Sequence, residues 1–248
     1  MIEKNNKLFG LLGKNIGYSF SRTYFSEKFE KENSDHKYVN FDLESLTEFP
    51  KLLQRKNLAG INVTIPYKQD VIPFLDKLDP TAEKIGAVNT IVFKGTQRIG
   101  YNTDCIGFQN TLEKYLKPHH NKALVLGTGG ASKAVCYVLD HLNIEYVMIS
   151  RQAGVGKKSY EQLTDNDYAE HSLIINCTPL GTYPKVNESP TINYERIGKN
   201  HLFYDLIYNP EITEFMRLGK QKRATTVNGL QMLVGQAEAS WLLWNQEK

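Results

Sequence analysis

Residues 123–134 read ALVLGTGGASKA, and few chain geometries accept that order. Four apolar residues are too few for a helix and read as a buried strand. Gly127, Gly129 and Gly130 then permit a tight turn, and the small residues that follow open a helix. Further short apolar runs come after it: YVMIS (146–150), LIINC (173–177) and LFYDLIY (202–208). Each is continuous rather than alternating, as in strands buried on both faces. With helical patterns between them, the segment reads as βαβ units around a mainly parallel sheet, which places the chain in the α/β class.

The first hundred residues have a different rhythm. LFGLLG (8–13), YVNFDL (38–43) and INVTI (61–65) read as strands. SRTYFSEKFEKEN (21–33) reads as a helix with Ser21 as its N-cap and with Tyr24, Phe25 and Phe29 at helical spacing. AVNTIVF (87–93) and RIGYNTD (98–104) bracket a hairpin turn at Lys94–Gln97. CIGFQNTLEKYL (105–116) reads as an amphipathic helix stopped by Pro118. The last twenty residues form one strong helix, with Leu230, Leu233, Val234, Ala237 and Trp241 on an apolar stripe. The expected domains are 1–103 joined by 229–248, the last helix returning to the first domain, and 104–228 as a Rossmann-like unit.

A formal net charge of +3 gives no argument for nucleic acid or an anionic membrane, and is compatible with an anionic small molecule. Three scattered cysteines without a CxxC predict a reducing, cytoplasmic setting, and the opening MIEKNNKLFG has no apolar signal core. The six histidines lack ligand spacing, so no metal is expected; His119-His120 reads as a polar loop and Cys177 as a small buried hydrophobe.

In a strand–turn–helix context, Gly127 suits the tight turn, Gly129 lets a pyrophosphate approach the backbone at the positive helix end, and Gly130 and Ala131 open the helix. The fingerprint is incomplete, since position 132 is Ser, and a glycine-rich turn without a ligand is the plainer alternative. The second strand runs into Ser150 and Arg151. A carboxylate there would repel a 2′-phosphate, whereas a guanidinium grips it, so NADP(H) is favoured over NAD. Lys157 and Lys158 read as a solvated loop.

INVTIPYK (61–68) gathers Asn62, Thr64 and Lys68 at the end of a strand, where ligands of α/β sheets bind. YSFS (18–21) adds Ser19 and Ser21, AVNT adds Asn89, and YNTD (101–104) adds Asn102 and Asp104. Each alone also fits a cap or a surface charge.

Taken together, YSFS, NVTIPYK, AVNT, NTD, LGTGGASKA, NCTPLGTYP, YDLIYNP and NGLQMLVGQA resemble, in order and over nearly the whole chain, the shikimate dehydrogenases. The resemblance implies an N-terminal substrate domain, a dinucleotide domain, and NADPH-dependent reduction of 3-dehydroshikimate to shikimate. It implies Lys68 and Asp104 as the catalytic pair. It gives Ser19 and Ser21 to the substrate carboxylate, Asn62, Thr64, Asn89 and Gln236 to the ring and its substituents, and Tyr208 to the pocket lining. Thr178 and Gly229 belong to its cofactor loops. The expected partners are thus this small substrate and NADP(H), with the protein a monomer or homodimer.

The sequence departs from the family pattern at Tyr18, where His is usual, at Arg22, where Pro is frequent, and at Ser150-Arg151-Gln152, more often Asn-Arg-Thr. A ring with a carboxylate and three hydroxyls calls for many short donors and acceptors. Reducing its ketone needs a hydride to carbon and a proton to oxygen, which a lysine ammonium can give. The rival readings are a broader quinate/shikimate dehydrogenase, a methylene-tetrahydrofolate dehydrogenase, and a silent NADPH-binding module.

Overall fold

The computed structural model describes residues 6–17 and 19–246. They divide into two compact units: residues up to Thr103 with those from Ala237 onward, and Asp104–Gln236.

The first unit contains β1 (Leu8–Gly13), α1 (Phe20–Lys31), β2 (Lys37–Asp42), α2 (Phe49–Leu52), β3 (Leu58–Val63), β4 (Lys77–Leu78), α3 (Pro80–Ile85), β5 (Thr90–Lys94) and β6 (Gln97–Tyr101). The sheet order is β2-β1-β3-β5-β6-β4. β1 runs parallel to β2 and β3, while β5 is antiparallel to β3 and β6. Lys94 pairs with Gln97, so Gly95 and Thr96 form the two-residue hairpin turn, with Gly95 at φ +61°. Side-chain alternation sends Ile61, Val63 and Ile91 into one buried cluster with Leu12, Phe41 and Phe49. Phe9, Phe25, Phe29, Tyr38 and Val92 form a second cluster, which includes Trp244 near the chain's end. Trp244 donates its indole N–H to the Ile91 carbonyl at 3.0 Å.

The second unit contains α4 (Asp104–Leu112), β7 (Lys122–Leu126), α5 (Gly130–His141), β8 (Glu145–Ser150), β9 (Lys157–Ser159), α6 (Asp165–Glu170), β10 (Leu173–Asn176), β11 (Leu202–Asp205), α7 (Glu214–Gln221) and β12 (Thr225–Val227). Its sheet is wholly parallel, in the order β12-β11-β10-β7-β8-β9. The chain winds outward from β7 to β9, then restarts at β10 on the other side of β7. Such a reversal is where α/β sheets hold ligands, at the carboxyl ends of the strands.

Helix α8 (Leu230–Asn245) spans the division between the units. In the second unit it crosses α4 backbone to backbone: a Cβ on Gly107 would lie 2.3 Å from the Met232 carbonyl oxygen, and one on Gly235 3.2 Å from the Gly107 Cα.

Several local expectations change. α1 starts at Phe20 with Ser19 at the cap position, so Ser21 sits buried inside the first turn and caps nothing. β3 stops at Val63: the Thr64 N–H still reaches the Leu12 carbonyl, but the chain then turns and leaves Ile65 73% exposed. α4 ends at Leu112, well before Pro118, as Thr111 Oγ donates back to the Gly107 carbonyl and Tyr115 N–H closes a tighter turn on Leu112. The buried side of α8 runs through Met232, Gln236, Ser240 and Trp244, while Leu230 is exposed. Lys158 belongs to β9 and is tied to Asp167 at 2.7 Å, not part of a solvated loop.

Candidate active site

In the first unit the polar side chains of the strand ends are wired together. Asn62, 3% exposed, accepts the Tyr38 phenol at Oδ1, 2.8 Å. Its Nδ2 lies 3.1 Å from Thr90 Oγ, 2.9 Å from Ser240 Oγ and 3.2 Å from the Asn89 carbonyl. Ser240 Oγ is also 2.7 Å from Thr90 Oγ and 3.0 Å from Thr103 Oγ. Asn89 closes the web, donating Nδ2 to Thr103 Oγ at 2.9 Å and accepting the Thr103 N–H at 2.6 Å. At the other end Ser21 hydrogen-bonds the Tyr38 phenol, whose burial pushes its pKa well up. Buried polar groups are tolerated when paired, and this web pairs them.

Lys68 is half-buried one turn beyond β3, where its carbonyl takes the Val88 N–H at 2.7 Å. The Asn89 carbonyl in turn takes the Val63 N–H at 2.8 Å. These two bonds hold the turn that carries Thr64 and Lys68 against the Val88–Asn89 backbone. Ser19 Oγ is shielded from solvent and meets no hydrogen-bond partner among the described residues. Tyr18 lies outside the described residues.

In the second unit, Gly127 follows β7 at φ +106°, a conformation that favours glycine. A Cβ there would stand 3.1 Å from Thr178 Cγ2, so the glycine turn and the loop after β10 meet at the sheet's point of reversal. Gly129 is the N-cap of α5 and brings no capping side chain, and a Cβ on it would meet nothing within 4 Å. Gly130 and the half-buried Ala131 open the helix, while Ser132 is buried and donates to the Gly129 carbonyl at 2.7 Å. Ser150 ends β8 and hydrogen-bonds the Gln152 carbonyl; Arg151 beside it is exposed. Tyr208 and Gly229 follow β11 and β12, and the Gly229 N–H bonds the Ile207 carbonyl at 3.0 Å. The cofactor residues expected from the sequence therefore share one edge of the parallel sheet.

Asp104, 7% exposed, opens α4, and Gln236, equally buried, lies on α8. The Gly107 crossing brings the two helices together: a Cβ on Gly107 would be 2.8 Å from the Gln236 N. Cys177 is partly exposed, and burial of its thiol pushes it well up, away from a thiolate.

These residues fit NADP(H). Helix α5 is 12 residues long, and its N-terminus, without a side-chain cap, offers its first N–H groups to a pyrophosphate. The open space over Gly129 admits the close approach, and an exposed guanidinium with no carboxylate on Ser150 suits a 2′-phosphate.

Sequence reasoning missed Tyr38, Thr90, Thr103 and Ser240, which hold the web, and Asp205, fully buried at the end of β11. Ser240 carried a signal. It falls between Ala237 and Trp244 on the packed side of α8, where an apolar residue is the ordinary choice.

The shikimate dehydrogenase substrate binding domain matches residues 11–91. The chain is 36% identical over 255 residues to the NADP(+) shikimate dehydrogenase of Methanosphaera stadtmanae, covering 95% of this chain and 90% of that protein. A chorismate mutase/shikimate 5-dehydrogenase fusion protein from Clostridium acetobutylicum superposes with a TM-score of 0.87 at 37% identity, covering 97% and 91% of the two chains. The shikimate 5-dehydrogenase of Thermus thermophilus, solved with NADP(H) and shikimate, gives 0.85 at 29% identity, covering 96% and 93%.

Proposed function

The chain belongs to the shikimate dehydrogenase family, and we propose that it catalyses the reversible NADPH-dependent reduction of 3-dehydroshikimate to shikimate, a step toward aromatic amino acids. The observation that carries the substrate side is the buried web that joins Ser21, Asn62 and Asn89 beside Lys68. A domain of this size has no need of so many amides and hydroxyls at one end of its central strands, whereas a ring acid with several hydroxyls does.

Ser19 supports this reading, because a shielded hydroxyl without a partner costs roughly 1–3 kcal/mol and a substrate carboxylate would relieve it. Ser21 stands beside it on the first turn of α1. Asn89 and Thr64 address the ring hydroxyls next to Lys68, and Gln236 and Tyr208 serve the same substrate. Asn62 is assigned to the ring with them, although its amide already meets four protein atoms, so it holds Asn89 and Ser240 in place at least as much as it binds.

NADPH, when bound, supplies the hydride. Gly127, Gly129, Gly130 and Ala131 hold its pyrophosphate, Ser150 and Arg151 its 2′-phosphate end, and Thr178 and Gly229 its nicotinamide side. Lys68 gives the proton to the developing alkoxide and takes it back in the reverse direction. Asp104 is the carboxylate of the catalytic pair. We expect a cytoplasmic monomer or homodimer; among the described residues no helix is long and apolar enough to cross a membrane.

The test is absorbance at 340 nm with NADP+ and shikimate, with quinate and NAD+ as comparators. A rise with shikimate and NADP+ is expected. No change at high enzyme concentration would return the chain to a silent binding module, and equal rates on quinate to a broader dehydrogenase.

A further inference from the structure

Asp205 is shut off from solvent at the carboxyl end of β11. A carboxylate in such a place is costly unless hydrogen bonds hold it. Its Oδ1 accepts the Ile207 N–H and the Asn176 Nδ2–H, both at 3.0 Å, and its Oδ2 accepts the Thr213 hydroxyl at 2.6 Å. Two of the partners are N–H groups that can only donate, and the third is a hydroxyl donating at 2.6 Å, an arrangement that suits a carboxylate. Each leads to a loop. Asn176 Oδ1 accepts the Thr178 N–H at 3.0 Å and its hydroxyl at 2.6 Å. Ile207 precedes Tyr208, and its carbonyl holds the Gly229 N–H at 3.0 Å. One side chain thus anchors the segments that carry Thr178, Tyr208 and Gly229.

We propose that Asp205 is a positioning residue for the dinucleotide, fixing the three loops after β10, β11 and β12 in the arrangement that NADP(H) binds. The proposal rests on the reading of this unit as the NADP(H)-binding one. Asp205 touches no reacting atom and acts through its partners.

A second property follows from the same burial, which pushes the Asp205 carboxyl up to about 6 against the pull of its three hydrogen bonds. The folded protein therefore takes up this proton more readily than the unfolded chain, whose aspartates titrate near 4. Once protonated, the carboxyl loses its charge, its bonds from the Ile207 and Asn176 N–H groups weaken, and the Thr213 hydroxyl must turn from donor to acceptor, so the anchor loosens as pH falls through about 6. The titratable groups that feel the Asp205 charge are Cys177 and Tyr194, both pushed up by burial and both neutral in that range. Glu214, which acts on Tyr194, is held in its ion pair with Arg217 at 2.6 Å.

The experiment is calorimetric titration of the full chain with NADP+ between pH 5.5 and 8, for wild type, Asp205→Asn, Thr213→Val and Thr213→Ser. The ligand's own 2′-phosphate titrates near 6 and affects every variant alike, so the ratio of variant to wild-type Kd is read. At pH 7.5 Asp205→Asn should bind about tenfold or more weakly, and its ratio should shrink toward acid pH. Should that variant not fold, Thr213→Val keeps the carboxylate but removes a donor that lowers its pKa, and should move the acid inflection to higher pH, with Thr213→Ser restoring it. Variants that bind NADP+ as the wild type does at every pH overturn the inference alone. A wild type that takes no NADP+ overturns it together with the reading of the unit.

Discussion

Asn89 Oδ1 accepts the backbone N–H of Thr103 at 2.6 Å, and the next residue along the chain is Asp104. The amide expected to meet the substrate ring therefore also fixes the peptide that leads into the expected catalytic carboxylate. Thr103 answers with its side chain, taking Asn89 Nδ2 at 2.9 Å and lying 3.0 Å from Ser240 Oγ. Both residues are buried, so neither can exchange these bonds for water.

Thr103→Val keeps the shape and removes the hydroxyl. It leaves Asn89 and Ser240 each short of a buried partner, at a cost of about 1–3 kcal/mol. The melting temperature should fall by several degrees, and KM for shikimate should rise while KM for NADP+ stays put. Thermal melts and steady-state kinetics check this; an unchanged KM for shikimate would detach the web from substrate binding.

Lys68→Ala addresses the chemical step. The backbone carbonyl that takes the Val88 N–H is untouched, so the turn after β3 should persist. kcat should drop by roughly 10²–10⁴ with a smaller change in KM. A variant that turns over at near-normal rate would place the proton donor elsewhere.

The two glycines of the turn should separate folding from binding. A methyl at Gly129 meets nothing within 4 Å, so Gly129→Ala should melt like the wild type yet bind NADP+ at least tenfold more weakly, because the methyl occupies the approach of the pyrophosphate. Gly127→Ala meets the Cys177 backbone at 3.2 Å and must hold φ +106°, so it should lower the melting temperature as well. Full NADP+ affinity in Gly129→Ala would leave the glycines as a turn and nothing more.

The α/β class and the parallel second sheet were legible because LVL, MI, LII and LFY are apolar whichever face they present. The strand ends were less so. INVTI alternates through Ile65, but the chain turns at Thr64, and nothing local distinguishes a last strand residue from a first turn residue. Ser19 and Ser21 are two residues apart, and only the entry direction of α1 decides which is outside the helix. The web around Asn62 was invisible for a different reason. Tyr38, Thr90, Thr103 and Ser240 come from four separate segments, and each alone reads as an ordinary strand or helix residue. Asp205 follows an apolar LFY and precedes LIY, so an acid in that setting announces burial, yet its three donors become apparent only once β10 and β11 are paired.

Acid should weaken the second unit through His120. It is buried, its Nδ1 accepts the Lys117 N–H at 3.0 Å, and its Nε2 lies 3.2 Å from the Asn200 carbonyl. That pairing fixes the neutral ring with its proton on Nε2, since a second proton on Nδ1 would face a donor. Burial pushes His120 below its ordinary value. The unfolded chain therefore binds this proton first, so the His120 contribution to stability is flat above pH of about 6.5 and falls as pH drops below that, while Asp205, whose proton the folded state holds more tightly, contributes in the opposite sense. Between pH 7.5 and 5.5 the melting temperature of the wild type should therefore move in the destabilising direction relative to that of His120→Asn, whose amide oxygen can still accept the Lys117 N–H. Equal slopes in the two proteins would assign the acid sensitivity to other groups.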